Sequence, residues 1–201
     1  AANSDIYLGN PNLKKANTQT EFTKEHIAEF LKCKADPVYF TEKHIKIVNV
    51  DEGLVSFNMY KFQKKLIRNF HKNRFNICKM PRQTGKSTTV VSYLLHYAIF
   101  NDNVNIGILA NKAATARDLL GRLQLAYENL PSWMQQGIIA WNKGSMELEN
   151  GSKIIAASTS ASAVRGMSFN IIFLDEFAFV QNHLADDFFA SVYPTISSGK
   201  S

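Results

Sequence analysis

Cysteine is nearly absent: Cys33 and Cys78 are the only two in 201 residues. They stand far apart and fit no metal spacing, which predicts a reducing, intracellular setting. The five histidines show no metal spacing either and are assigned no chemistry. No apolar run is long enough to span a bilayer and no signal peptide is visible, so no membrane partner is expected. Internal repeats and low-complexity tracts are also missing. The chain opens at Ala1 without Met and stops at Ser201 after a turn-like Ser197-Ser198-Gly199. Both ends look cut, and a fragment is expected.

What remains is ordinary globular material, with 45% hydrophobic and 20% charged residues. The length allows one sizeable domain or one plus a small appendage. A net charge of +6 is compatible with a polyanionic partner such as nucleic acid.

The most informative stretch is Met80-Pro81-Arg82-Gln83-Thr84-Gly85-Lys86-Ser87. A short apolar run (Phe75, Ile77, Cys78) precedes it, and a helix-patterned run (Val90, Val91, Leu94, Leu95, Ala98) follows. Strand, tight loop, Gly-Lys-Ser and helix form the layout of a phosphate-binding loop. Gly85 lets the backbone approach a phosphate. The first N–H groups of the helix lack intrahelical acceptors and sit at the positive end of its dipole. Lys86 reaches terminal phosphates, and Ser87 offers a hydroxyl to Mg²⁺. The general pattern asks for glycine where this chain has Met80.

A second site supports the first. Ile171 to Leu174, with Phe169 before them, read as a fully buried strand, and Asp175 and Glu176 stand at its C-terminal end. Open α/β sheets bind ligands at that end. Asp175 is placed to hold Mg²⁺, and Glu176 to orient or deprotonate a water attacking a γ-phosphate. Arg82 would lie along the phosphates, or shape the loop through a salt bridge. Arg165, beside Gly166, reads equally as a finger toward a neighbouring subunit's nucleotide and as a surface arginine. By residue type alone, Phe62 reads as core and Gln63 as a solvated helix residue.

Residues 1–20 read as a polar, loosely packed arm. Helices are predicted at 24–34, capped by Thr23 and ended by Asp36-Pro37, and at 60–72, 86–100, 113–129 and 183–192. Strands are predicted at 45–50 and 54–57 as a hairpin, then at 75–79, 104–110, 137–141, 145–149, 152–158 and 169–174. The alternating order predicts an α/β fold with a mostly parallel sheet covered on both faces. Residues 1–58 form the expected appendage of arm, helix and hairpin, and 59–201 the core. Phe177, Phe179, Phe188 and Phe189 read as core or a docking face.

Taken together, these residues resemble the ATPase domain of bacteriophage large terminase subunits. The resemblance runs through Pro37-Val38-Tyr39-Phe40, Tyr60-Lys61-Phe62-Gln63 and the 82–87 loop. It continues at Trp141-Asn142-Lys143-Gly144-Ser145, Ala163-Val164-Arg165-Gly166, Leu174-Asp175-Glu176 and Pro194 to Gly199. An arginine-bearing loop without its first glycine is a habit of that family.

The resemblance implies an additional-strand, RecA- or helicase-like P-loop NTPase that hydrolyses ATP with Mg²⁺ to move double-stranded DNA into a procapsid. It implies adenine recognition by Phe62 and Gln63, and phosphate binding by Arg82, Gln83, Thr84, Gly85, Lys86 and Ser87. Metal would be held by Ser87 and Asp175, with Glu176, Arg82 and Arg165 catalytic. Implied partners are the portal protein, a small terminase subunit and copies of the chain in a pentameric ring. The implied location is the portal vertex in the host cytoplasm. A coupling motif and nuclease domain would follow Ser201. The alternative reading is a helicase ATPase core, which shares the glutamine, the loop and the Asp-Glu pair.

Overall fold

A computed structural model of the protein describes residues 5–73, 85–164 and 167–175. The elements along the chain are β1 (Ile6–Tyr7), β2 (Asn10–Lys14), α1 (Lys24–Ala35), α2 (Pro37–His44), β3 (Lys46–Asn49) and β4 (Gly53–Ser56). They continue as α3 (Lys61–Lys72), α4 (Lys86–Phe100), β5 (Asn105–Ala110), α5 (Ala113–Glu128), β6 (Ile138–Trp141), β7 (Ser145–Leu148), β8 (Lys153–Ser158) and β9 (Ile171–Asp175). The expected strand at 75–79 and helix at 183–192 lie outside the described residues. So do Cys78 and the four phenylalanines at 177, 179, 188 and 189.

The central sheet has the order β6-β7-β8-β5-β9. Strand β5 pairs in parallel with β8 and β9, while β7 and β6 continue the sheet antiparallel. The registers place Ala110, Ser158 and Asp175 level at one edge. That edge holds the C-terminal ends of all three parallel strands, where open α/β sheets take their ligands.

Apolar side chains lie on both faces of the sheet. Ile171 and Phe173 of β9 pack on the main core, whereas Ile172 and Leu174 join a smaller cluster of Leu109, Val164 and Phe169. This is the period-2 alternation of a strand between two layers. Strand β9 is half-buried at all five positions rather than fully buried.

Two further expectations are corrected. Asp36-Pro37 does not simply end α1. Asp36 closes α1 and caps α2, accepting from the Val38 and Tyr39 N–H groups at 2.9 and 3.2 Å. Proline at a first helical position starts a helix, because its missing N–H would be unpaired there anyway. The N-terminal arm is tied to the rest of the protein from residue 5 onward, although Leu8, Gly9, Pro11 and Asn12 stay exposed. Strands β1 and β2 pair, Leu13 is buried, and Gln135 binds the Lys14 N–H and the Asn12 carbonyl. The hairpin β3–β4 pairs as expected, Lys46 with Ser56 through Asn49 with Gly53.

Candidate nucleotide site

The site centres on Gly85, the residue before α4. Its φ of 74° lies in the left-handed region that glycine adopts without a Cβ penalty. The Gly85 carbonyl is held firmly, accepting from the Thr89 N–H at 3.1 Å and the Thr89 hydroxyl at 2.7 Å. Gln63 Nε2 donates to the same oxygen at 3.5 Å. A Cβ on Gly85 would meet that Nε2 at 2.6 Å. The two elements therefore approach as closely as glycine permits.

Behind Gly85, α4 is buried along most of its length, with Leu95 and Ala98 fully enclosed. Its first residues, Gly85 to Thr88, are half-buried. A helix start here leaves N–H groups without intrahelical acceptors and a positive dipole end. Lys86 and Ser87 stand within that first turn. The chemistry is that of an anion cradle: backbone donors, a cation and a hydroxyl on a rigid, buried helix.

Gln63 is placed by its own helix. Its Oε1 accepts the Tyr60 N–H at 2.8 Å, capping α3, while Nε2 turns to Gly85. Only 3% of Gln63 is exposed, and Phe62 is 40% exposed. The residue-type reading is thus inverted: the glutamine is inside and the aromatic outside. The Phe62 ring stacks on Tyr60, with centroids 5.9 Å apart and planes 10° from parallel. Residue type alone does not mark Tyr60 for the site. The available signal is a glutamine three residues after it, a capping-box position.

Asp175 ends β9 at the ligand edge of the sheet and is half-buried. Arg82, Gln83, Thr84, Arg165 and Glu176 lie outside the described residues. Val164, just before Arg165, ends a short 3₁₀ turn and is buried against Leu109 and Phe169.

One group elsewhere brings potential metal ligands together. Glu29, Cys33 and His44 offer atoms within 4.8 Å of one another. Glu29 accepts from the Tyr39 hydroxyl at 2.9 Å and meets His44 Nε2 at 2.9 Å. Burial opposes ionisation of Glu29, but hydrogen bonds from His44 and Tyr39 hold its carboxyl below the usual range. Burial and the Glu29 charge push the Cys33 thiol up to about 12, so it stays protonated. The Cys33 thiol donates to Glu29 Oε1 at 3.8 Å. The group is a satisfied hydrogen-bond knot joining α1 to α2.

The family model for the terminase large subunit, T4likevirus-type, N-terminal, matches residues 77–187. That is more than half of the chain. The chain belongs to this terminase family. Solved structures share its fold. The HK97 bacteriophage large terminase superposes with a TM-score of 0.65 at 18% identity, over 83% of this chain and 35% of that one. The Thermus phage P74-26 large terminase ATPase domain gives 0.58 at 16% identity, over 71% of this chain and 61% of that one. A point mutant of the same domain, with an arginine changed to alanine, gives 0.58 as well. This terminase chain therefore spans 35% and 61% of the two proteins it resembles in fold. No helix among its described residues is long and apolar enough to cross a membrane.

Proposed function

We propose that this terminase domain binds and hydrolyses ATP, and that the hydrolysis drives double-stranded DNA into a procapsid. One observation carries the reading. A left-handed glycine opens a buried helix with Lys86 and Ser87 in its first turn, against a glutamine carried by the preceding helix. Family membership supports the assignment of that arrangement to a packaging ATPase.

The residues fit a nucleotide with Mg²⁺. Backbone N–H groups from Gly85 onward and the Lys86 ammonium take the phosphates, as Arg82, Gln83 and Thr84 would in the preceding loop. Ser87 and Asp175 are hard oxygen donors suited to Mg²⁺. The ion supplies charge neutralisation on the phosphate oxygens when bound. Glu176 orients and deprotonates the attacking water. Arg82 in the loop and Arg165, from a neighbouring copy, stabilise charge developing on the γ-phosphoryl group. Phe62 offers an exposed ring for stacking on the base. Gln63 supplies the polar contact to the adenine edge, by exchanging its bond to Gly85.

In this reading residues 1–58 form a lid-like appendage and 59–201 the ATPase core. A pentameric ring at the portal vertex, in the host cytoplasm, would engage the portal protein and a small terminase subunit. Coupling and nuclease segments would belong to the rest of the full-length protein.

The test is steady-state hydrolysis by the full-length protein. Glu176→Gln is expected to bind Mg·ATP normally and turn over at least ~100-fold more slowly. A wild-type protein with no hydrolysis that Glu176→Gln removes would overturn the reading.

A further inference from the structure

Helix α3 carries five cations, Lys61, Lys64, Lys65, Arg68 and Lys72, and no carboxylate. Lys64 is accounted for by Glu42 of α2, 3.2 Å away. The other four are exposed, and none forms an ion pair among the described residues. Their spacing of four, three and four residues keeps them on one line. At 3.6 residues per turn they fall within roughly 60° of one another, and the line is about 16 Å long. Gln63, Ile67 and the half-buried Phe70 occupy the opposite side and face the core.

A solvated helix face usually mixes signs, because neighbouring like charges repel and i,i+4 opposite pairs stabilise. Here Lys61–Lys65 and Arg68–Lys72 are like-charged i,i+4 pairs, each destabilising the isolated helix slightly. A polyanion laid along the line removes that cost. The exposed Tyr60 and Phe62 flank only the Lys61 end, and among the described residues no exposed Phe, Tyr or Trp lies beside Lys65, Arg68 and Lys72 to hold a single strand by stacking. Long flexible cations in a row suit a phosphate backbone read without sequence.

We propose that the Lys61–Lys65–Arg68–Lys72 line is a contact track for the phosphate backbone of double-stranded DNA. The choice of duplex rests on the packaging reading above. The track and Gln63 belong to one 12-residue helix, so the same rigid element meets the duplex and the nucleotide loop.

The experiment measures binding of a short random-sequence duplex by the 201-residue chain across a salt series. Each phosphate contact contributes about 0.9 to the slope of log K against log salt. Replacing all four residues by Gln is expected to reduce that slope by about 3 to 4 and weaken low-salt affinity more than about tenfold. Arg substitutions at Lys61, Lys65 and Lys72 should keep the wild-type slope. Gln at the exposed Lys24, Lys34, Lys43 and Lys46 should leave most of it. The track is overturned if wild type binds no duplex, if the four-Gln variant keeps the wild-type slope and affinity, or if the control set loses as much. It is also overturned if single strands compete more strongly than duplex. None of these outcomes bears on hydrolysis, which tests the packaging reading separately.

Discussion

Helices α3 and α4 meet at Gly85 and along Phe70, His71, Tyr93 and His96, yet they differ in character. Helix α4 is apolar nearly all round and buries eleven of its fifteen residues, ending its exposure after the first turn. Helix α3 buries only Gln63 and Ile67 of its twelve and shows solvent a row of cations. A helix packed on all sides holds what is fixed to its end in one place. A helix with one buried stripe can shift on that stripe at far lower cost. In the proposed reading the phosphate cradle sits at the start of the enclosed helix, and Phe62 and Gln63 belong to the half-exposed one.

The largest effect that distinguishes the two is expected in the core of α4. Leu95 is fully buried, and Leu95→Ala should cost about 2–5 kcal/mol through lost transfer energy and a residual cavity. Phe62→Ala on α3, at 40% exposure, should cost well under half of that. Urea unfolding of both variants checks the contrast, and equal losses would break it.

A somewhat smaller effect comes from His96, deep in α4. Its Nε2–H donates to the Cys33 carbonyl at 2.9 Å, and Nδ1 is buried with no hydrogen-bond partner among the described residues. Burial, with His71 adding, lowers its pKa to about 4, while the Cys33 carbonyl and Asp36 pull the other way. The folded value lies below the unfolded one, so the unfolded state takes up the proton first. Stability is therefore fully present above about pH 6.5 and falls as pH drops toward 4, by at most about 3 kcal/mol. His71, exposed on α3, has no such enclosure. Urea midpoints between pH 7 and 5 should fall in wild type and in His71→Gln. A flat wild-type profile would contradict the burial of His96.

The two helices also differ in how openly the sequence declares them. Residues 86–100 are bounded correctly by pattern, because Gly-Lys-Ser marks a start and a dense apolar run can only be an interior helix. The limits of α3 are nearly as clear, but its rotation is not. Gln63, Ile67 and Phe70 have the i, i+4, i+7 spacing of a buried stripe, yet residue type places a glutamine in solvent. Its burial depends on two backbone partners, Tyr60 and Gly85, and the second is distant in sequence. Helix α2 escapes a reading in which Pro37 is only a stop. Leu13 escapes as well, because short polar strands carry too little periodicity to show an inward face. For the site, the positions of Asp175 and Lys86 follow from strand and helix ends. The close approach at Gly85 does not, since nothing local encodes a contact between residues 63 and 85.

That contact gives the smallest and most pointed test. Gly85→Ala puts a side chain into the left-handed region, at a cost of about 1–2 kcal/mol. It also drives a methyl against Gln63 Nε2, which lies 2.6 Å from the Cβ position. The amide is the far end of a flexible side chain, so it yields by leaving the Gly85 carbonyl. Gln63→Ala removes both the obstruction and the bond. Its own cost is about 1 kcal/mol for the lost caps on Tyr60 and Gly85. The backbone strain survives in the double variant, but the collision does not. The paired substitutions should therefore cost less than the sum of the singles, by about 0.5–1 kcal/mol. Strict additivity in urea unfolding would mean that the exposed helix does not touch the nucleotide loop at this point, and that the two helices are joined only through their apolar stripe.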